Sequence, residues 1–481
     1  MSTKKKMIWG VFYTAISKYS SILISIGIGA ILSRLLSPTE FGIVAIVIIF
    51  ITFFNMLSDF GFGPAIIQNQ NLNDKDIKSL FSLSLIFGSV FALLFFLLAP
   101  MIADFYSNQQ LINISRLLSI CVLFYSFSIV PKALCTKKLL FKKIAVISLL
   151  IQLFSGGMAV FFALNGYSYY SLIYKSILDA FLSFLSFFIL VPIKVTFNIK
   201  LSSLKKILKF SVYQFMFNFI NYFSRNADNL LIGRYFGASP LGYYNKSYQL
   251  MLMPVQNLTH VITPVLFPVL SEFQNDKSKI FSSYCRVVQL LAIIGFPLSV
   301  FLFFSASDLI NILFGLQWQQ SIPIFKVLSL TVGIQVVLSS SGSIFQAANR
   351  TDLLFFTGVL HSIFMVSGIC FGIFYMKDMI YVCYGLLMAF ILGFLNIFIV
   401  LVKIALKSSF AIFMKLFIKP VFFAILLAVI LCFNSNLIIE NIFYSLIEKF
   451  AISCLVLSLC WISYPSNRIL LITRFRKIGS K

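Results

Sequence analysis

The sequence predicts an all-α polytopic membrane protein with about 14 transmembrane helices, arranged as two pseudo-symmetric six-helix lobes plus two C-terminal helices. The first observation behind this prediction is composition. The 481 residues are 60% hydrophobic and only 11% charged, too few polar side chains to cover a water-soluble domain. The second is that apolar runs of about 20 residues, enough to cross a roughly 30 Å hydrocarbon layer, recur along the whole chain. The third is an internal repeat.

The predicted helices are bounded where charged or turn-forming residues interrupt the apolar runs. No loop between them exceeds about 20 residues, which leaves no room for a folded domain outside the membrane. The first run, from Met7, is long and lacks a small-residue cleavage site, so we expect a membrane helix and not a cleavable signal peptide. Polar residues interrupt the seventh, eighth and tenth runs, so the number of true crossings could be one or two lower. The predicted segments are 8–35, 41–66, 79–101, 113–131, 144–164, 168–191, 209–233, 241–270, 285–305, 322–345, 353–375, 379–402, 418–434 and 446–464.

The repeat joins Ile31–Gly42 to Leu231–Gly242, 200 residues later. In both copies an apolar helix ends with an arginine, Arg34 or Arg234, before a turn of small residues and proline and a closing glycine. A like-facing repeat requires an even number of crossings between its copies. Duplicated halves around a midplane site are typical of secondary transporters. The predicted domains are an N-terminal six-helix lobe at 1–195, a C-terminal six-helix lobe at 196–403, and two extra helices with a basic tail at 404–481.

The charge of the chain is strongly basic, because 38 Lys and Arg face 14 Asp and Glu, giving a net charge of +24. Most basic residues lie in alternate loops between the predicted segments, and this positive-inside asymmetry predicts that both termini are cytoplasmic. The charge is spread over those loops and not gathered in one solvated patch, so we expect no nucleic-acid partner. The 8 cysteines lie in or beside apolar segments without metal-ligand or disulfide spacing, so we predict no metal and no cofactor.

Polar side chains form stripes on three predicted helices. In the seventh segment they recur every three or four positions and therefore share one helix face. The eighth segment has a similar stripe, and the first carries polar residues 200 positions before members of the seventh. We predict that these faces line a polar chamber, because Lys, Arg or Asp facing lipid at the bilayer centre costs about 2.5–3.5 kcal/mol. Interhelical hydrogen bonding is the alternative for the amide and hydroxyl residues. The predicted substrate-binding residues are Lys18, Arg225, Asn218, Asn221, Asn229, Gln249 and Gln256.

The predicted ion-coupling residues are Asp228 and Asp59. Asp228 lies three residues after Arg225, so a local ion pair between them is the structural alternative for both. Asp59 precedes a glycine- and proline-containing stretch that would break or bend the second segment, and it would either cap the interrupted helix or bind a coupling ion. Lys18 has no acid in its own helix, and Lys246 is expected either to snorkel to the outer surface or to face the interior.

The predicted membrane interior carries bases opposed by few acids, namely Lys18, Arg225 and Lys246 against Asp59, Asp179 and Asp228. A cationic, water-filled interior between two halves suits an anionic solute. Asn and Gln side chains offer donor and acceptor together and suit hydroxyl-rich groups such as sugars. The residues therefore favour a transporter of an anionic, polar solute.

Several stretches carry a family resemblance: the two hairpins, RNADNLLIGRYFGASPLG at 225–242, YYNKSYQL at 243–250 and FPVLSEFQND at 267–276. They resemble the polysaccharide-exporter branch of the multidrug/oligosaccharidyl-lipid/polysaccharide flippase superfamily, the flippases of O-antigen, teichuronic-acid or colanic-acid type. The resemblance covers the first ten segments, and the last four match only in length and hydropathy.

This resemblance implies two lobes around a V-shaped cavity and alternating access in a bacterial inner membrane. The implied substrate is an undecaprenyl-diphosphate-linked oligosaccharide, moved from the cytoplasmic to the outer leaflet at the expense of a proton or sodium gradient. The resemblance also implies membrane lipids, and the polymerase and glycosyltransferases of the same pathway, as partners. We expect a monomer, because the duplication already supplies both walls of a cavity.

Two other functions compete with this one. A multidrug or cation antiporter of the same superfamily is the nearest, but it would be expected to carry an acid-rich cavity. A membrane glycosyltransferase or polymerase would need paired carboxylates in a sizeable loop, and the chain has no such loop. There is no phosphate-binding glycine loop for direct use of ATP. The sequence therefore predicts a transporter and not an enzyme.

Overall fold

The computed structural model describes residues 3–69, 71–196, 201–274, 276–434 and 441–464. Within these ranges only the backbone is described for 3–15, for several residues of 201–224 and for 260–265, 268 and 269. All regular secondary structure in the described residues is helical. The helices are α1 Thr3–Leu35, α2 Pro38–Asp59, α3 Phe62–Gln68, α4 Asp74–Phe105, α5 Gln110–Lys137, α6 Phe141–Leu164, α7 Tyr170–Leu190, α8 Leu201–Phe236, α9 Ala238–Ser271, α10 Lys277–Phe304, α11 Ala306–Leu313, α12 Ser321–Ser329, α13 Thr331–Leu338, α14 Ser341–Ala347, α15 Thr351–Cys370, α16 Met379–Ile399, α17 Phe410–Lys415, α18 Ile418–Asn434 and α19 Ile442–Ile462.

Short irregular turns complete several of these helices. A 3₁₀ turn, Leu316–Trp318, links α11 to α12, and π turns at Phe371–Met376 and Val400–Ala405 extend α15 and α16. Across the described residues, 11 helical spans are long and apolar enough to cross a membrane. A twelfth is added if α12 and Thr331–Ala347, which are bent by 44° relative to each other, form one span. The spans counted in the described residues do not include α8 and α9, which carry the predicted seventh and eighth segments. The helical fold is thus confirmed, whereas the number of 14 crossings stays a prediction.

The chain forms two compact units, Met1–Gly242 and Tyr243–Lys481. In the first unit α8 packs against α2, α3 and α4, so this helix belongs with the N-terminal helices in the contact pattern. The predicted lobe boundary at 195/196 rests on the repeat alone and stays a prediction. In the second unit α10 packs against α13, α18 and α19, and α12 and α15 pack against α16.

The core of the first unit forms around the short helix α3. Phe62 and Ile66 of α3 are fully buried and pack with Leu80 of α4 and Val130 of α5. The break before α3 turns these apolar side chains inward, where they pack against the neighbouring helices. The α3 segment is therefore a packed element and not a frayed end of α2.

The two copies of the repeated hairpin contact each other inside the first unit. A Cβ atom at Gly42 would overlap the backbone carbonyl of Ala238, and a Cβ atom at Gly242 would overlap the carbonyl of Pro38. Ala238 follows Pro38 by the same 200 residues that separate the two glycines, so the contact is reciprocal. Only glycine permits so close a backbone approach, which explains why both copies end with this residue.

Hydrogen bonds fix the first hairpin and the helix that leads to the second. Ser37 and Glu40 form a capping box at the start of α2, in which the Ser37 backbone N–H donates to Glu40 Oε2 at 2.6 Å. The Tyr222 hydroxyl of α8 donates to the Ile49 carbonyl at 2.8 Å, and the Tyr106 hydroxyl donates to the Leu230 carbonyl at 3.3 Å. Neighbouring elements of the first unit therefore hold α8 at two levels.

Candidate functional site

The predicted break in the second segment is present, and Asp59 lies at its edge. Helix α2 ends at Asp59, Phe60 and Gly61 adopt left-handed backbone conformations with φ of 39° and 74°, and α3 begins one residue later. Asp59 Oδ1 accepts a hydrogen bond from the Gly63 backbone N–H at 3.2 Å. The carboxylate thus caps the N-terminus of α3, which was one of its two predicted roles. Its role in ion coupling stays a prediction.

The stripe on α8 combines buried and exposed polar groups. Asp228 and Asn229 are 4% and 8% exposed, and Asp228 Oδ1 accepts from the backbone N–H of Asn229 at 2.7 Å and from its side-chain amide at 3.2 Å. Arg225 is exposed and Asn218 half-buried, while the side chain of Asn221 lies outside the described residues. Among the described side chains, Arg225 and Asp228 form no ion pair with each other, so this structural alternative is wrong.

Lys18 lies half-buried on α1, and within the part of the chain that the structure describes it forms no ion pair. Its helix is held by α6 on either side of this position. Ser17 Oγ donates to the Ala145 carbonyl at 3.3 Å, and Gln152 Nε2 donates to the Ser21 carbonyl at 2.8 Å. Gln152 was not among the predicted residues. Its contact spans 131 positions of sequence, and a single glutamine in an apolar run gives no signal of such a partner.

The predicted residues of α9 belong to the second unit, and both are exposed. Gln249 Nε2 donates to Asn245 Oδ1 at 2.8 Å, one turn earlier on the same helix. Gln256 carries an exposed amide, and its backbone carbonyl accepts from Thr259 Oγ1 at 3.4 Å. Both amides therefore keep hydrogen-bonding capacity for a polar ligand.

Of the two positions expected for Lys246, the structure shows the interior one, and the snorkelling alternative is wrong. The residue is only 7% exposed, and its ammonium lies 5.1 Å from the ring centroid of Phe314 and 5.8 Å from that of Trp318. Aromatic faces attract a cation through their quadrupole, by about 2 kcal/mol when the pair is desolvated. Its two aromatic partners follow α11 far along the chain, where sequence spacing could not connect them to α9.

Two further charged pairs each include a lysine of a predicted membrane span. On α7, Lys175 Nζ lies 2.7 Å from Asp179 Oδ2, and Ser155 of α6 donates a short hydrogen bond to the other carboxylate oxygen. In the second unit, Lys449 Nζ of α19 lies 2.6 Å from Asp308 Oδ2 of α11. Among the described residues no group of three or more His, Cys, Asp and Glu is spaced to hold a metal ion.

The structure thus distributes the predicted residues over both units. The first unit holds Lys18, Asp59, Asn218, Asn221, Arg225, Asp228 and Asn229, and the second holds Gln249 and Gln256. Within the first unit, α1 presents a cation without an ion pair among the described residues, and so does its repeat equivalent α8. Binding of an external anion by these two cations stays a prediction.

Sequence comparison relates the chain to bacterial surface-polysaccharide proteins. It is 26% identical over 375 residues to the teichuronic acid biosynthesis protein TuaB of Bacillus subtilis, covering 75% of each chain. It is also 26% identical over 423 residues to the lipopolysaccharide biosynthesis protein WzxC of Escherichia coli, covering 85% of this chain and 84% of that protein. The succinoglycan biosynthesis transport protein ExoT of Rhizobium meliloti is 23% identical over 342 residues, covering 71% and 69% of the two chains.

Comparison with solved structures identifies the fold. The lipid II flippase MurJ in an inward closed conformation superposes with a TM-score of 0.76 at 16% identity, covering 95% of this chain and 99% of that one. An inward-facing multidrug resistance MATE transporter of the MOP superfamily superposes with a TM-score of 0.61 at 14% identity, covering 81% and 96%. The predicted flippase-superfamily fold is therefore confirmed.

A family model described as polysaccharide biosynthesis protein matches residues 31–323, more than half of the chain. The resemblance found in the hairpins and in the motifs at 225–276 is confirmed by this match. With its many apolar helices and its relatives in teichuronic acid and lipopolysaccharide biosynthesis, the chain is a multi-pass membrane protein that belongs to the polysaccharide biosynthesis protein family.

Proposed function

We propose that this protein flips an undecaprenyl-diphosphate-linked oligosaccharide from the cytoplasmic to the outer leaflet of the bacterial inner membrane, for surface polysaccharide biosynthesis. The single observation that carries the proposal is the pair of cations on repeat-equivalent helices. Lys18 on α1 and Arg225 on α8 lie on polar faces, and among the described residues neither forms an ion pair. The relatives that act in teichuronic acid and lipopolysaccharide biosynthesis support the substrate class.

The diphosphate is the part of this substrate that meets the highest free-energy barrier in the bilayer. A charged side chain at the bilayer centre costs about 2.5–3.5 kcal/mol on insertion scales and more by simulation, and a diphosphate carries more than one charge. Guanidinium and ammonium groups form short, charge-assisted hydrogen bonds with phosphate oxygens. In our proposal Lys18 and Arg225 supply these bonds while the headgroup crosses.

The other parts of the substrate make different demands. The sugar hydroxyls need donors and acceptors, which we assign to Asn218, Asn221, Asn229, Gln249 and Gln256. The polyprenyl tail can remain in lipid if the lobes at 1–195 and 196–403 part sideways, so no closed tunnel is required. The protein acts as a monomer with both termini in the cytoplasm, near the polymerase and glycosyltransferases of its pathway.

Transport against a concentration difference requires coupling to an ion gradient, and alternating access is the proposed cycle. Asp228 and Asp59 are the predicted groups for a proton or sodium ion. The Asp59 carboxylate caps α3 beside the break in the second span, so loss of its charge would loosen that cap. Ion binding by Asp59 would therefore change the start of α3 directly.

The proposal is tested with the purified full-length chain in lipid vesicles. The vesicles contain fluorescent undecaprenyl-diphosphate oligosaccharide, and an impermeant quencher reports which leaflet holds it. We expect leaflet exchange that requires the protein, and slower exchange of the same oligosaccharide on a monophosphate. Absence of protein-dependent exchange, together with export of a cationic dye, would instead support the multidrug antiporter.

A further inference from the structure

The helix α7 carries an ion pair near its centre that the proposed substrate site does not use. Asp179 is the tenth of the 21 residues of α7, and Lys175 lies one turn before it. This depth corresponds to the middle of a membrane span. An ionisable residue inside the membrane is a functional-site hypothesis by default, because the protein tolerates its insertion cost for a reason.

Three helices of the first unit converge on the Asp179 carboxylate. Lys175 Nζ contacts one oxygen at 2.7 Å, and Ser155 Oγ of α6 donates to the other. Helix α5 also packs against α7, and its Cys121 and Tyr125 lie within electrostatic reach of the carboxylate. These groups, with the neighbouring lysine, are the titratable and charged residues that face it.

The pair does not lie on the part of α7 that is most exposed. Phe181, Leu185 and Ile189, spaced four residues apart, are 38%, 38% and 67% exposed and mark the face turned to the surroundings. Asp179 precedes Phe181 by two residues, which places it roughly 200° around the helix axis from that residue. The side chain is 24% exposed. The carboxylate is therefore half-buried among helices and still within reach of a small ion.

Two side chains of α6 connect Asp179 with α1, since Ser155 donates a hydrogen bond to the carboxylate and Gln152 donates one to α1. Ser155 lies three residues after Gln152, so both project from nearby turns of α6. The Gln152 amide donates to the Ser21 carbonyl of α1 at 2.8 Å, and Ile28 of α1 packs directly against Gly156. A change at Ser155 is thus passed to the helix that carries Lys18 through two contacts.

We propose that Asp179 is a proton-binding site that drives transport, with Lys175 as the partner that the proton replaces. This inference rests on the proposed flippase function and adds a coupling group that the sequence did not predict. The proton adds to a carboxylate oxygen of Asp179, the ammonium of Lys175 keeps its own proton, and the neutral acid no longer attracts it. Because the proton adds to Oδ1, the oxygen that now accepts from Ser155 Oγ, Ser155 then accepts a hydrogen bond where it now donates, and this reversal shifts α6 against α1.

A proton fits this site better than a metal ion. A metal cation would share the carboxylate with the Lys175 ammonium, which lies 2.7 Å from Asp179 Oδ2, and two cations bound to one carboxylate repel each other. The oxygens that converge here are two from Asp179 and one from Ser155. A proton needs a single oxygen and turns the ion pair into a neutral acid beside a free ammonium.

The test uses the full-length chain in the vesicle assay, under a pH gradient without sodium and under a sodium gradient at equal pH. The variants are D179N and the double variant K175M/D179N, which leaves no unpaired charge and so keeps the fold. The matched control is D308N/K449M, which neutralises the other buried Lys–Asp pair. We expect the pH gradient to accelerate flipping by the wild type and by the control, and both Asp179 variants to lose this acceleration.

A measurement without substrate separates the site from the proposed function. Infrared difference spectra of the detergent-solubilised chain should show a carboxylic-acid band on acidification that D179N lacks. If this band depends on Asp179 while the wild type moves no lipid, the flippase proposal fails and the proton site stands. If K175M/D179N keeps the pH-gradient acceleration, or if D179N loses only a sodium-driven one, the proton assignment is overturned.

Discussion

Four cations of the predicted membrane spans fall into two groups that differ in their partners. Lys175 and Lys449 each contact an aspartate within 2.7 Å. Lys18 and Arg225 have no such partner among the described residues, although they lie on α1 and α8, which start the two copies of the repeat. Two of these cations therefore have a counter-ion within the chain, whereas the two on the lead helices have no ion pair among the described residues.

This difference indicates what compensates the positive charges of Lys18 and Arg225. A lone cation in a membrane interior is stable only if water, backbone carbonyls or an external anion compensates it. Lys449 of α19 pairs with Asp308 of α11, a contact between two helices that is typical of a structural ion pair, whereas the Lys175–Asp179 pair on α7 is the one to which we assign proton binding. The unpaired cations lie beside amides on polar helix faces, which suits a substrate that brings a diphosphate and sugars.

The largest expected effect comes from breaking a structural pair. D308N should lower the free energy of unfolding by about 3–5 kcal/mol, because it leaves the buried Lys449 ammonium without its partner. Thermal unfolding of the detergent-solubilised chain measures this change. The double variant D308N/K449M should recover most of the loss, and an unchanged unfolding temperature in D308N would contradict a structural role.

Removal of the guanidinium on α8 should affect transport and not folding. R225A should slow flipping by about tenfold to a hundredfold, since a hydrogen bond to a charged group contributes about 1.5–3 kcal/mol. R225K should restore part of the rate, because lysine keeps the charge but loses the bidentate geometry. The rate per inserted molecule is the measurement. Wild-type flipping by R225A would remove this residue from the site.

The helical fold could be predicted from the sequence because most helices coincide with apolar runs, and the length of each run indicates the length of its helix. The Asp59 cap was also within reach, since Gly61 and Gly63 follow it directly. Contacts between distant segments could not be predicted. Asp308 and Lys449 are 141 residues apart, and the aromatic partners of Lys246 follow α11 and not α9. Such pairs depend on helix rotation and packing, which a single sequence does not record.

Removal of the Lys18 ammonium should also slow flipping, but by less than removal of the Arg225 guanidinium. K18A removes one monodentate cation of a set, so we expect a loss of about fivefold in flipping rate and no change in membrane insertion. Flipping rates of K18A and R225A, measured side by side in vesicles of one composition, give the ratio of the two effects. A destabilised K18A chain with a normal flipping rate would assign Lys18 to packing between α1 and α6.

The smallest effect is expected at an ion pair outside the membrane spans. Arg350 contacts Asp352 through two nitrogens at 2.8 and 2.9 Å, and the pair is exposed to solvent. Solvent and salt screen such a pair, so R350A should leave both unfolding temperature and flipping rate unchanged. A loss of transport in R350A would show that charge removal alone, at any depth, disturbs the protein.

The central claim is that the unpaired cations on α1 and α8 bind the diphosphate of a lipid-linked oligosaccharide. Its most direct test is the affinity of the wild type and of K18M/R225M for the same oligosaccharide on an undecaprenyl diphosphate and on a monophosphate. The account predicts that the wild type binds the diphosphate more tightly and that the double variant loses this preference. A double variant that still prefers the diphosphate as strongly as the wild type would contradict it.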